Sequence, residues 1–130
     1  MLDLSALKKV LNSLERAIER SKTVPEDTEI RDSVIQRFEY SYELSWKMMK
    51  RQLEMDSPTP IDVMGFKDMI RAAAERDLIN NPEAWFEYRR QRNITAHTYN
   101  EIKAVQVYET ALIFMQDAKM LLQQLQQRNS

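Results

Sequence analysis

The chain predicts an all-α fold, an antiparallel helical bundle of about five helices with a four-helix up-and-down core. Three observations carry this. Helix breakers are scarce, with one Gly and four Pro in 130 residues. Leu, Met, Gln, Glu, Lys and Arg, which lose little rotamer freedom in a helix, are abundant. Every long segment repeats apolar residues at spacings of three and four, and short Pro-containing stretches separate the segments. Short connections favour antiparallel neighbours. The length fits one domain, residues 1–130, with its own core.

The first helix is expected from about Asp3 to Lys22, with Leu4, Leu7, Leu11, Leu14 and Ile18 as its buried stripe. Thr23-Val24-Pro25 ends it, because proline cannot continue the hydrogen-bond ladder. The second runs from about Glu26 to Glu54, on the stripe Ile35, Phe38, Tyr42, Trp46, Met49 and Leu53. Ser57-Pro58-Thr59-Pro60 interrupts the pattern, and Thr59 is placed to cap the next helix, with Pro60 in its first position and Asp62 reaching back.

The third element, about Pro60 to Arg76, is weaker, and Gly65 is positioned to split it. Phe66, Met69, Ile70 and Ala73 supply its apolar face. Asn81-Pro82 reads as cap and first position of a fourth helix ending near His97. Thr98 and Glu101 have capping-box spacing for a last helix from about Tyr99 to Gln127.

That last helix carries two adjacent apolar stripes. One is Ile102, Val105, Tyr108, Leu112, Met115 and Leu122; the other is Ala104, Val107, Ala111, Phe114, Ala118, Leu121 and Leu125. A face this wide serves either a homodimer or a central helix within one bundle. Trp46 and Trp85 are expected in the core, and the eight Met residues point to adaptable packing.

Composition also excludes function classes. There is no cysteine, hence no disulfide and no thiolate nucleophile or metal ligand. No apolar run approaches the length of a membrane span, and no signal-peptide core follows Met1, so a cytoplasmic protein without a membrane partner is expected. A net charge of −1 argues against a whole-surface field for nucleic acid and leaves room for a local patch. No glycine-rich phosphate loop is present. One His without a matched ligand set is a poor zinc site, so neither metal nor cofactor is expected.

The richest chemistry lies in Arg92-Asn93-Ile94-Thr95-Ala96-His97-Thr98-Tyr99. His97 is the single histidine, the residue type whose unperturbed pKa lies near neutrality. Arg92 can hold a phosphate by two parallel hydrogen bonds. Metal-free RNA cleavage needs a base for the 2′-hydroxyl proton and a cation for the charge developing on phosphate. His97 and Arg92 are the candidates for these roles, Asn93 can orient the imidazole or substrate, and Arg89 and Arg90 add local positive charge. Geometry restricts the scheme, since residues five apart on one helix diverge by about 140°. Convergence needs a helix end near His97, the reach of arginine, or a second subunit. The competing reading is a histidine that caps or packs and an arginine in an ion pair. Glu39, Tyr40 and Glu43, one turn apart, either line a cleft beside Arg92 or form a solvated or ion-paired face.

The octapeptide matches the R-x4-H-x-Y signature of HEPN domains and resembles the HepT-like branch, which includes the nucleotidyltransferase substrate-binding proteins. Ile35 to Lys47 is similar to that family's long second helix, and Ala84-Trp85 upstream of Arg92-Asn93 also fits. The resemblance covers nearly the whole chain. It implies a homodimeric helical bundle in complex with a minimal nucleotidyltransferase encoded nearby. In toxin–antitoxin versions, the HEPN protein is a metal-independent RNase toxin. By that likeness Arg92 and His97 are catalytic, and Tyr99 accepts AMP from the antitoxin (AMPylation). The alternative within the branch is a non-catalytic substrate-binding subunit that holds nucleotide or RNA in a dimer groove. A dimerising adaptor with a purely structural motif is the third option.

Overall fold

The structure, a computed structural model, describes residues 1–57 and 61–130, with Asp62 described by its backbone alone. Among the described residues there are five α-helices and no strand, as the all-α expectation requires. They are α1 (Ser5–Thr23), α2 (Thr28–Asp56), α3 (Phe66–Glu75), α4 (Pro82–Ile94) and α5 (Glu101–Arg128). Two short 3-10 turns stand at Ile61–Val63 and Thr95–His97. No described helix is long and apolar enough to cross a membrane.

Local chemistry sets most boundaries. Asp27 caps α2, its Oδ1 accepting from the N–H groups of Glu29 and Ile30 at 3.0 and 3.2 Å, which satisfies two of the four orphan donors of a helix start. Asn81 does the same for α4, accepting from the Ala84 N–H at 3.2 Å, with Pro82 in the first turn. The weak third element divides at Gly65, which stands in extended backbone at the start of α3. The expected Thr59 cap, with Pro60 and the Asp62 side chain, lies outside the described residues.

One capping expectation is corrected. Asn100, and not Thr98, caps α5: its Oδ1 accepts from the Lys103 N–H at 3.1 Å. The helix therefore begins at Glu101 rather than Tyr99. The Thr98 hydroxyl instead donates back to the Thr95 carbonyl at 3.1 Å. Asn100 stands in the extended backbone that an N-cap requires, φ −84° and ψ 123°, whereas Thr98 still belongs to the turn, at φ −78° and ψ 3°.

The five helices share one cluster of buried side chains, to which each contributes. Phe114 of α5 is fully buried and sits among four rings, Phe38 and Tyr88 at 5.2 Å, Trp85 at 5.7 Å and Tyr42 at 6.3 Å between centroids. Burial of each such side chain contributes about 1.5–3 kcal/mol, with a further contribution from edge-to-face geometry. Polar contacts tie the helix ends. Asn129, just beyond α5, accepts from the Leu2 N–H at 2.8 Å and donates to Gln52 of α2 at 2.7 Å. At the other end, Arg31 of α2 meets Glu101 of α5 at 2.6 Å, and the Ser21 and Tyr108 hydroxyls are 2.7 Å apart. The starts of α2 and α5 thus lie together, as do their ends, while α1 runs the opposite way.

The two stripes of α5 have different fates. The stripe from Ala104 to Leu125 is entirely buried. In the other only Met115 is buried; Tyr108, Leu112 and Leu122 are half-buried, while Ile102 and Val105 are exposed. The exposed apolar residues of α5 also include Ile113 and Met120. At 100° per residue Ile102, Ile113 and Met120 fall within about 20° of one another, forming an open seam along the helix.

Candidate active site

The last turns of α4 build the site. Trp85, Tyr88 and Gln91 are buried and fix the helix against the core. Arg92 follows Trp85 by seven residues, so it points within about 20° of the same inward direction. At that level α2 presents carboxylates rather than apolar side chains. Arg92 Nε lies 2.5 Å from Glu43 Oε1, and Nη2 lies 4.0 Å from Glu39 Oε1. The Nε contact is an ion pair without hydrogen-bond alignment, and Nε makes no hydrogen bond with any described residue. About a third of the Arg92 side chain remains exposed. Glu39 and Glu43 are thus both ion-paired to Arg92, and of the two only Glu43 lines the cleft beside it.

That cleft, about 330 Å³, is lined by Tyr42, Glu43, Trp46, Arg89, Arg92 and Asn93. The Tyr42 hydroxyl is buried there and makes no hydrogen bond with any described residue. Burial pushes its phenol well above the ordinary range; Arg89 and Arg92 pull it down and Glu43 pushes it up, but burial wins. Tyr42 thus presents a neutral O–H among three polar residues of α4. Spacing had assigned Tyr42 to a core stripe only. Its ring obeys that reading, while the hydroxyl at its tip is the signal that it also faces polar surroundings.

The helix then tightens. Both the N–H and the hydroxyl of Thr95 donate to the Arg92 carbonyl, and the Asn100 N–H donates to the His97 carbonyl at 3.1 Å. His97 ends the 3-10 turn and is exposed. Its ring stands edge-on to Tyr99, 6.0 Å between centroids. Tyr99 is 87% exposed, so its hydroxyl is open to a modifying enzyme. Within one chain, then, the motif divides. Arg92, Asn93 and Arg89 share the cleft, whereas His97 and Tyr99 pair outside it. Among the described residues no hydrogen bond, ion pair or ring contact joins Arg92 to His97. Nor do any three His, Cys, Asp or Glu of the described residues lie together as a metal site.

Trp85 is buried as expected. Trp46 is only half-buried; it packs on Phe66 of α3 at 5.0 Å and turns the rest of its ring to the cleft. The roles of Phe66 and Phe86 beside it carried no motif and were not anticipated.

An all-helical chain with a polar, arginine-lined cleft at the end of its fourth helix is a small helical protein with a candidate site. Residues 2–127 match the family described as nucleotidyltransferase substrate binding protein like. The chain belongs to this family. A Haemophilus influenzae protein named "Probable ribonuclease HepT" is 40% identical, across 98% of this chain and 94% of that protein. A solved Haemophilus influenzae structure, described as the fold of a substrate binding domain of a nucleotidyltransferase, superposes with a TM-score of 0.87. It is 38% identical, and the match covers 95% of this chain and 99% of that one. A Thermus thermophilus structure superposes with a TM-score of 0.77 at 27% identity, over 92% and 98% of the two chains. The HepT-like resemblance of the chain is thereby borne out.

Proposed function

We propose that this chain is the HEPN subunit of a toxin–antitoxin pair, a metal-independent ribonuclease whose motif tyrosine is adenylylated by a minimal nucleotidyltransferase. The observation that carries this reading is the placement of Arg92 at the cleft wall, with His97 and Tyr99 exposed just beyond the same helix end. The name of the Haemophilus relative supports it.

In this scheme Arg92 binds the scissile phosphate, while Asn93 and the neutral Tyr42 hydroxyl donate hydrogen bonds to it. His97 removes the 2′-hydroxyl proton, the 2′-oxygen attacks phosphorus, and the P–O5′ bond breaks, leaving a 2′,3′-cyclic phosphate and a 5′-oxygen that takes its proton from water. The active unit is a homodimer of single-domain chains, each an antiparallel four-helix up-and-down bundle, working in the cytoplasm. Two facts favour the dimer: the open Ile102–Ile113–Met120 seam, and the separation of Arg92 from His97 within one chain. A second copy brings another motif within reach. AMP on Tyr99 would place a bulky anion beside His97 and close the site by sterics and charge.

The test is purified protein on RNA with chelator present. Wild type is expected to cleave, with Arg92→Ala and His97→Ala slowed by about a hundredfold or more. Cleavage unchanged in His97→Ala overturns the assignment. A non-catalytic substrate-binding subunit is the second reading, favoured by the Arg92–Glu43 ion pair that occupies the candidate phosphate ligand. It predicts RNA or nucleotide binding that weakens in Arg92→Ala, with no cleavage.

A further inference from the structure

We propose that the joined face of α3 and α4 is a base-stacking platform that guides single-stranded RNA into the Arg92 cleft. The proposal rests on reading that cleft as a phosphodiester site.

Three half-buried rings form a run across three helices. Trp46 of α2 lies 5.0 Å from Phe66 at the start of α3, and Phe66 lies 6.2 Å from Phe86 of α4. Cations cover the run. The Arg89 guanidinium sits 3.9 Å above the Phe66 ring, and Arg71 and Lys67 lie 5.5 and 5.8 Å from the centre of Phe86. Arg90 lines the same groove. Against these four cations stand two carboxylates, Asp68 paired to Arg71 and Glu87 paired to Arg90. Arg89 and Lys67 have no carboxylate partner among the described residues. The patch is therefore positive on a chain whose net charge is −1.

The groove has a volume of about 480 Å³. Arg89 and Asn93 line both it and the Arg92 cleft, so the two hollows adjoin. Adjacency to the proposed phosphate-binding arginine and the charge of the rim decide the occupant. Single strands are held by a positive track that follows the backbone and by rings on which successive bases stack. Unpaired RNA bases stack equally on guanidinium planes. Arg89 has one face on Phe66, which leaves its other face for a base and its in-plane N–H groups for a phosphate. A stacked arginine that merely shielded Phe66 from water would give no reason for three cations converging on two neighbouring rings.

The test separates this idea from ribonuclease activity by measuring binding in the non-cleaving His97→Ala background. Two fluorescein-labelled probes are compared by anisotropy: a twelve-nucleotide single-stranded RNA and an abasic RNA backbone of the same length. The base-bearing strand is expected to bind about tenfold more tightly. Phe86→Leu and, separately, Arg89→Gln should erase most of that advantage while leaving abasic affinity nearly unchanged for Phe86→Leu. Helix content by circular dichroism checks that each variant is folded, and Lys67→Gln provides a surface variant that removes no packing ring. Equal affinity for the two probes, loss of neither with the variants, or no binding at all overturns the platform. Base-dependent binding by a wild type that cleaves nothing sinks the ribonuclease reading and leaves the platform standing. Cleavage without base-dependent binding does the reverse.

Discussion

Arg92 of α4 and Glu43 of α2 face each other at 2.5 Å across the mouth of the candidate site. Both side chains are about one-third exposed, so the pair is screened and contributes under about 1 kcal/mol to stability. Its effect is expected on function. In the proposed scheme the carboxylate aims the guanidinium and competes with phosphate for it.

Glu43→Gln should therefore separate two kinetic quantities. RNA affinity should rise several-fold, because a negative charge beside the phosphate ligand is gone. Turnover should fall, because Arg92 is no longer held in place. Steady-state cleavage assays that show both constants unchanged would remove Glu43 from the site.

The exposure of Tyr99 leads to a modification test. Co-expression with a minimal nucleotidyltransferase, the proposed partner, should add one AMP per chain, detectable by intact mass, and Tyr99→Phe should abolish the increment. Modified protein should lose RNA cleavage, whereas unmodified Tyr99→Phe retains it. An AMP increment that persists in Tyr99→Phe places the acceptor elsewhere.

The open seam of α5 predicts assembly. Ile113 is 64% exposed, between Ile102 and Met120 on the outer face of α5. Ile113→Glu should convert a dimer to monomer in sedimentation velocity at micromolar concentration, with helix content retained. A wild-type chain that sediments as a monomer rules out the dimeric site.

Tyr88 provides a pH test of packing. It is buried, and its hydroxyl donates to Asp117 of α5. Burial first, then the bond and charge of Asp117, raise its pKa above the ordinary value near 10. The group keeps its proton when folded and loses it more readily when unfolded. Its contribution is thus complete below about pH 10 and is lost as pH rises from there towards the folded value. The thermal midpoint should fall between pH 9 and 11, and fall less steeply in Tyr88→Phe. Identical slopes in the two proteins would show that the Tyr88–Asp117 pair has no such role.

Helix identity was legible because it follows from local chemistry. Asn81 caps with its own side chain, and Gly65 and Pro25 interrupt, whatever packs around them; the Asp27 cap was not read, since the second helix was placed from about Glu26. The R-x4-H-x-Y signature was legible as well, being a matter of order along the chain. The start of α5 was not, because Thr98 and Asn100 both offer an acceptor and the choice depended on the 3-10 turn before them.

By itself the sequence determined five helices, two apolar stripes on α5 and the family to which the chain belongs, while the fold decided which stripe is buried. Tertiary structure alone decided that Arg92 meets Glu43, that His97 and Tyr99 pair apart from it, and that Phe66 and Phe86 lie side by side beneath a cluster of cations. The physical reason is range. Caps and periodicity act within a few residues, whereas ion pairs and ring stacks depend on how distant helices are brought together by a shared core.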